Sequence, residues 1–248
     1  MIRAFLFLLF SLLPLFAFGG ERVVSLSPAL SEVIHYLGRD AELVGVTVFC
    51  DEDFCRGKER VGGIVNPSIE KVISLRPTLV VCTTMTPERL CESFKRLGIK
   101  TERFRLVSLN DLYGVMEALA RELSAPPKVS SFKRELEEEL RALKPCLKGK
   151  RLFVALSVKP LYCAGRSSYL GRLLEKAGAQ VFPDGSFQAV SREFLLSLRP
   201  SLIISFGGCS AFKGFECVDV SPFKSDLLHP SPRLLKGLRE LRGVLCSR

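Results

Sequence analysis

A chain of 248 residues with 36 Lys and Arg against 26 Asp and Glu carries a formal net charge of +10. It is long enough for one large core or two small ones. Its basic residues are scattered, often beside Glu as in residues 133–141, rather than gathered on one face, so a nucleic-acid partner has no footprint here. Two histidines, with no Gly-x-Ser-x-Gly, Gly-x-Gly-x-x-Gly or Walker A pattern, leave catalysis without its constellation of side chains, and the expectation is a protein that is not an enzyme.

Residues 1–19 form the first predicted element. Arg3 precedes an apolar run over 4–18, and Ala17-Phe18-Gly19 supplies a small-x-small cleavage site, the three parts of a secretory signal peptide. The run falls short of the ~20 residues that a spanning helix needs. No cysteine follows it directly, which argues against a lipid-anchored N-terminus; an exported, soluble protein is expected, and a monomer. Strand 22–26 is followed by a helix from Ser27-Pro28 to Leu37, with Gly38 as its stop. Strand 43–48, a polar loop over 50–63, a helix capped by Ser68 and ended by Pro77, and strand 79–82 come next. Helix 87–97 and strand 100–105 complete a first α/β unit over 20–110. Strands alternating with helices imply a parallel sheet covered on both faces.

Two helical stretches, 112–123 and 126–143, then run with no strand between them. Phe132, Leu136, Leu140 and Leu143 lie at helical spacing in the second, so 111–149 is expected to be a stiff helical connector. A second α/β unit follows over 150–248, with strands 151–157, 180–182 and 202–206, helices 167–177 and 232–241, and a helix capped by Ser191.

The two units share a motif. Residues 70–81, Glu-Lys-Val-Ile-Ser-Leu-Arg-Pro-Thr-Leu-Val-Val, return as 193–204, Glu-Phe-Leu-Leu-Ser-Leu-Arg-Pro-Ser-Leu-Ile-Ile, at a constant offset of 123. Solenoid repeats recur every ~20–50 residues, so this spacing means two similar lobes. Each copy puts a glutamate, Glu70 or Glu193, in the first turn of a short helix.

Nine cysteines permit disulfides in an exported chain and leave at least one thiol unpaired. Spacing favours Cys50–Cys55 and Cys209–Cys217 as local staples. The acidic loop 50–55 reads as a stapled loop before a metal site, and no metal centre is expected. Asn occurs only at 66 and 110 and Gln only at 180 and 188, a scarcity that suits a thermophilic source.

Taken together, Val-Val-Ser-Leu-Ser-Pro-Ala at 23–29, Val-Gly-Val-Thr at 44–47, Val-Gly-Gly at 61–63, the run 67–77, Val-Ser-Arg-Glu at 190–193 and Ser-Pro-Arg at 231–233 resemble the class III periplasmic substrate-binding proteins of ABC importers. That group takes vitamin B12, ferric siderophores and haem, and the likeness covers essentially all of the mature chain. Its vitamin B12 branch is nearest, through residues 188–193 and 229–233.

The resemblance implies two Rossmann-like α/β lobes joined by a long rigid helix, with ligand held in the cleft between them. It implies no permanent cofactor and a periplasmic protein whose transported ligand is a corrinoid, or alternatively a ferric siderophore or haem. Ligands of open α/β sheets lie beyond the carboxyl ends of the strands, which points to Pro28, Ala29, Phe49, Cys50, Gly63, Ile64, Thr83, Tyr162, Phe187, Asp226 and His229. Phe49, Tyr162 and Phe187 offer flat faces to a macrocycle, and His229 is a possible ligand to the metal of a bound cofactor. Tryptophans of the B12 branch are matched here by Ile64, Thr83 and Phe187, since the chain has no tryptophan. Glu70 and Glu193 are implied to dock onto arginine pockets of the membrane permease, one per lobe.

Overall fold

The computed structural model describes residues 20–247; the signal-peptide segment lies outside them. Two sheets organise the chain. The first holds β1 (Val23–Ser25), β2 (Leu43–Val46), β3 (Glu59–Arg60), β4 (Leu79–Thr83) and β5 (Lys100–Phe104), all parallel, in the order β3-β2-β1-β4-β5. Helices α1 (Pro28–Tyr36), α2 (Ile69–Ser74) and α3 (Glu88–Arg96) connect them. The second sheet holds β6 (Arg151–Val158), β7 (Leu161–Ala164), β8 (Gln180–Phe182), β9 (Phe187–Ala189), β10 (Leu202–Ser205) and β11 (Cys217–Asp219). Its order is β11-β10-β6-β7-β9, with β8 also on β6. Helices α6 (Tyr169–Lys176), α7 (Arg192–Leu198) and α8 (Leu234–Cys246) belong to this half, and α4 (Leu109–Glu122) and α5 (Val129–Leu147) run between the sheets.

The second sheet departs from the expected parallel pattern. β7 runs antiparallel to β6 and β9 antiparallel to β7. Only Lys159 and Pro160 separate β6 from β7, and so short a connection can join strands only in the antiparallel sense. β3, β7, β9 and β11 were not foreseen from sequence; each has four residues or fewer. α5 starts and ends later than expected. The Pro126-Pro127 pair lies ahead of its first residue, and the helix accommodates Pro145 in its last turn.

The repeated motif folds identically in the two halves. Ser68 and Ser191 cap α2 and α7, accepting hydrogen bonds from Lys71 N–H at 3.2 Å and Phe194 N–H at 3.1 Å. Both helices end on a non-glycine residue in the left-handed region, Arg76 (φ 47°) and Arg199 (φ 46°). Each of these precedes a proline, which disfavours the right-handed helical conformation. Arg22, just before β1, and Arg151, at the start of β6, cap the helix ends, donating to Leu75 O at 2.7 Å and Leu198 O at 2.6 Å.

Alternation along the strands then sorts the side chains. Leu79 and Val81 of β4, like Leu202 and Ile204 of β10, face one large core, while Val80 and Ile203 face separate outer clusters beneath α2 and α7. Strand period two dictates that division. The large core is continuous through both lobes. It takes in Leu112 and Leu119 of α4, Phe132, Leu136 and Leu143 of α5, and Leu234 and Leu238 of α8. α5 is therefore a packed element rather than a free-standing strut.

Disulfides join Cys50–Cys55, Cys209–Cys217, Cys82–Cys91 and Cys146–Cys246, and Cys163 is a buried free thiol. The first two are the staples expected from spacing. The last ties the end of α5 to the end of α8 across 100 residues. Among the described residues no helix is long and apolar enough to cross a membrane.

Candidate functional site

The carboxyl ends of the first sheet carry apolar side chains into solvent. Val48 and Phe49 follow β2, Met85 follows β4, Val107 follows β5, and all are more than half exposed. On the facing half, Tyr162 and Phe187 are exposed on β7 and β9. Ala164 pairs with Phe187, and Tyr162 lies two residues before it, so the two aromatics share a face one step apart. Sequence placed both in loops; ladder pairing of Tyr162 with Ala189 and of Phe187 with Ala164 puts them in strands. Exposed apolar groups concentrated on strand ends are unusual for a solvated surface and usual for a binding surface.

A cavity of about 570 Å³ opens between the halves. One wall is the β5–α4 connection and first turn of α4, with Arg105, Val107, Ser108 and Asn110. The other is α6 and the start of β9, with Ser167, Tyr169, Arg172, Lys176, Ser186 and Phe187. Of the residues singled out from sequence, Phe187 alone lines it. The loop beyond β5 was passed over, although the rule that selected Thr83 at the end of β4 applies equally to Arg105, just beyond β5.

The other residues named from sequence fall into two groups. Phe49 and Gly63 are neighbours: a Cβ on Gly63 would stand 3.6 Å from the Phe49 ring. Ile64, next to Gly63 in the chain, and Pro28 are half-buried, whereas Ala29 and Thr83 are buried and Cys50 is closed off in its disulfide. The second group holds Asp226 and His229, which join an ionic cluster across the lobes.

Arg233, at the start of α8, is the centre of that cluster. It faces Glu32 of α1 at 3.6 Å, Asp51 at 3.4 Å and Glu52 at 2.8 Å, and also Asp226. His229 Nε2 stands 3.6 Å from Glu32, whose side chain is 3% exposed. Burial alone would lower the Arg233 pKa, but Glu32, then Asp226, Glu52 and Asp51, outweigh it and hold the guanidinium above the ordinary arginine value. Tyr169 links cluster to cavity, its hydroxyl donating to His229 O at 3.5 Å. Burial, and next the nearby Glu32 charge, push that hydroxyl's pKa up, so it remains a donor. Among the described residues no group of three His, Cys, Asp or Glu side chains is placed to hold a metal ion.

On the outer faces, Glu70 and Glu193 are fully exposed in the first turns of α2 and α7. Each carboxyl is held below the usual carboxylate range, first by its own backbone N–H and next by the capping hydroxyl of Ser68 or Ser191. At matched positions beside them stand exposed Ile73 and Leu196.

Known proteins share this fold. The vitamin B12-binding protein of Salmonella choleraesuis (strain SC-B67) is 29% identical over 261 residues, covering 99% of this chain and 97% of that relative. The periplasmic vitamin B12 binding protein BtuF of Vibrio cholerae superposes with a TM-score of 0.71 at 23% identity, covering 92% of this chain and 97% of its own. The periplasmic haem binding protein HutB of Vibrio cholerae gives 0.75 at 18% identity, with 91% and 98% covered. All three are binding proteins rather than enzymes. The periplasmic binding protein family model matches residues 23–214, most of the chain. With that match, and with two α/β lobes enclosing a cavity, the chain belongs to the periplasmic binding protein family.

Proposed function

We propose that this protein is the substrate-binding component of an ABC importer, exported to the periplasm behind a cleaved leader, where it captures a corrinoid between its lobes and presents it to a membrane permease. One observation carries the permease half of this reading. Glu70 and Glu193 occupy equivalent positions on separate lobes, exposed, ionised and backed by matched serines and matched apolar neighbours. A carboxylate at a helix tip also gains ~0.3–1 kcal/mol from the helix dipole, but that benefit does not require two lobes to present the same face. Such carboxylates suit bidentate pairing with arginine.

The corrinoid is supported by relatives named for vitamin B12 along the whole chain, and by the aromatic faces of Phe49, Tyr162 and Phe187. A second reading, haem or a ferric siderophore, is favoured by the three cations of the cavity wall and the lack of tryptophan.

Replacing Glu70 or Glu193 by Ala should weaken binding to the cognate permease, measured by surface plasmon resonance, and the double change should weaken it further. Truncating one partner of a desolvated charge pair costs ~2–5 kcal/mol. Ligand affinity, titrated in parallel with cobalamin, cobinamide, haem and a siderophore panel, should stay unchanged. Undiminished permease binding by the double variant would reduce both residues to helix-capping charges.

A further inference from the structure

The second lobe carries another cavity, about 160 Å³ in volume, which shares no lining residue with the larger one. Its floor is apolar. Leu195 of α7 and Phe212 are buried in the outer cluster, and Val158, Leu161 and Phe215 pack against that cluster around them. Lys159 and Arg192 stand exposed on the rim, and the lining holds no Asp or Glu.

Three local features build this pocket. The β6–β7 hairpin forms one wall, tied to the approach of α7 by Val190 N–H, which donates to Leu161 O at 3.0 Å. Gly207 lets the segment after β10 close on the hairpin, since a Cβ there would stand 3.0 Å from a Val158 methyl. That segment then turns twice. Phe212 N–H donates to Cys209 O at 3.0 Å, Phe215 N–H donates to Phe212 O at 3.1 Å, and the Cys209–Cys217 disulfide closes the loop. A pocket held by main-chain bonds and a disulfide is preformed, which spares a partner the entropy of ordering it.

The first lobe fills the matching place with its own side chains. Its β4 and β5 are a parallel pair like β10 and β11, but helix α3 connects them. Cys91 and Phe94 of that helix enter the outer cluster beneath α2, and Ile69, matched to Arg192 by the offset of 123, packs against it. The two helix tips thus present the same glutamate over different ground.

Size, charge and position together name an occupant. A cavity of about 150 Å³ lined by such side chains holds a benzene ring, so this one has room for a single Leu- or Phe-sized side chain. The positive rim calls for a carboxylate beside it. Arg192 is the neighbour of Glu193, and exposed Phe194 and Leu196 extend the apolar surface of the same helix. We propose that the pocket is a docking socket for the membrane permease, taking one apolar permease side chain with an acidic residue next to it. The inference rests on the importer reading above and deepens it: the second lobe gains an anchor where the first is filled, so the lobes are not interchangeable on the permease.

Surface plasmon resonance of the purified full chain on the cognate permease tests this with two variants. Ala211→Phe puts a ring into the pocket and should weaken binding about ten-fold. Lys159→Gln/Arg192→Gln neutralises the rim, and should both weaken binding and flatten its dependence on salt. The rim side chains are exposed and Ala211 is half-buried, so thermal midpoints near the native value should certify both variants as folded. If the filled variant melts lower, the rim pair decides alone. Native affinity in either folded variant overturns the socket; weakened binding by Glu70→Ala/Glu193→Ala in the same series then leaves the importer reading standing. Self-association of the native chain in sedimentation velocity, abolished by the same substitutions, makes a second copy the occupant and also overturns the proposal. A native chain that does not bind the permease overturns the importer reading and the socket with it.

Discussion

Cys163 shows how far a single side chain departs from its ordinary chemistry here. It lies on β7 within the outer cluster of Phe153, Ala155, Leu195 and Ile203, and its thiol donates weakly to Gln188 O at 3.5 Å. Burial raises its pKa from 9.0 to about 11, against a lesser opposing effect of the Gln188 backbone. The thiolate is the reactive form, so Cys163 should resist a thiol reagent at pH 8 in the native protein, and one thiol should appear on denaturation. A fast-reacting native thiol would contradict this. The same shift sets a direction for stability. Between about pH 9 and 11 the folded state keeps a proton that the unfolded state has lost, so stability is full below that window and falls as pH rises through it. Cys163→Ala should flatten this loss in alkaline melts. Nothing in the sequence singled out Cys163 as the unpaired cysteine. An odd count requires one, but burial decides which.

Among the elements, α2 and α7 were the most legible, because serine cap, apolar spacing and terminal proline each act within one helix. Their left-handed ends were not foreseen, since Arg76 and Arg199 adopt that conformation only through the following proline and the capping guanidiniums of Arg22 and Arg151. An L side chain in that region costs ~1–2 kcal/mol, and the entropy cost of glycine offsets ~0.5–1 of it. Arg76→Gly and Arg199→Gly should therefore each stabilise by about 0.5–1 kcal/mol in urea unfolding, and by similar amounts if the lobes are truly equivalent. Destabilisation by either would mean that the arginine side chain contributes more than its backbone costs. The short strands were illegible for the opposite reason. β7 and β9 depend on partners a turn or more away in sequence, and no local pattern distinguishes three or four residues of strand from loop. The α6 side of the cavity was missed likewise, because Arg172 comes to line one cavity with Arg105 only once both lobes are folded.

At the scale of the whole molecule, the lobes are bound by more than a connector. One core runs through α4, α5 and α8, and Arg233 binds the second lobe to Glu32, Asp51 and Glu52 of the first. Large closures need a few residues free to absorb dihedral change, and this packing leaves little room for them. Small-angle scattering with and without cobalamin should give nearly equal radii of gyration; a clear compaction would show that the lobes hinge despite the shared core. The two-lobed α/β plan was legible in the repeat and in the alternation of elements. The joining of the lobes was not, because α5 finds its main partner in α8, beyond the entire second sheet.

That late partnership bears on how the chain comes to be made. As the chain is delivered N-terminus first, α5 emerges about a hundred residues before α8. Phe132 can already meet Tyr36 and Tyr113 of the preceding elements, whereas the thiol of Cys146 and the side of the α5 spine that packs on α8 await the final helix. The native state closes last, as a zip drawn from its far end, and a chain clipped just ahead of α8 loses the spine's covering along with its own terminus.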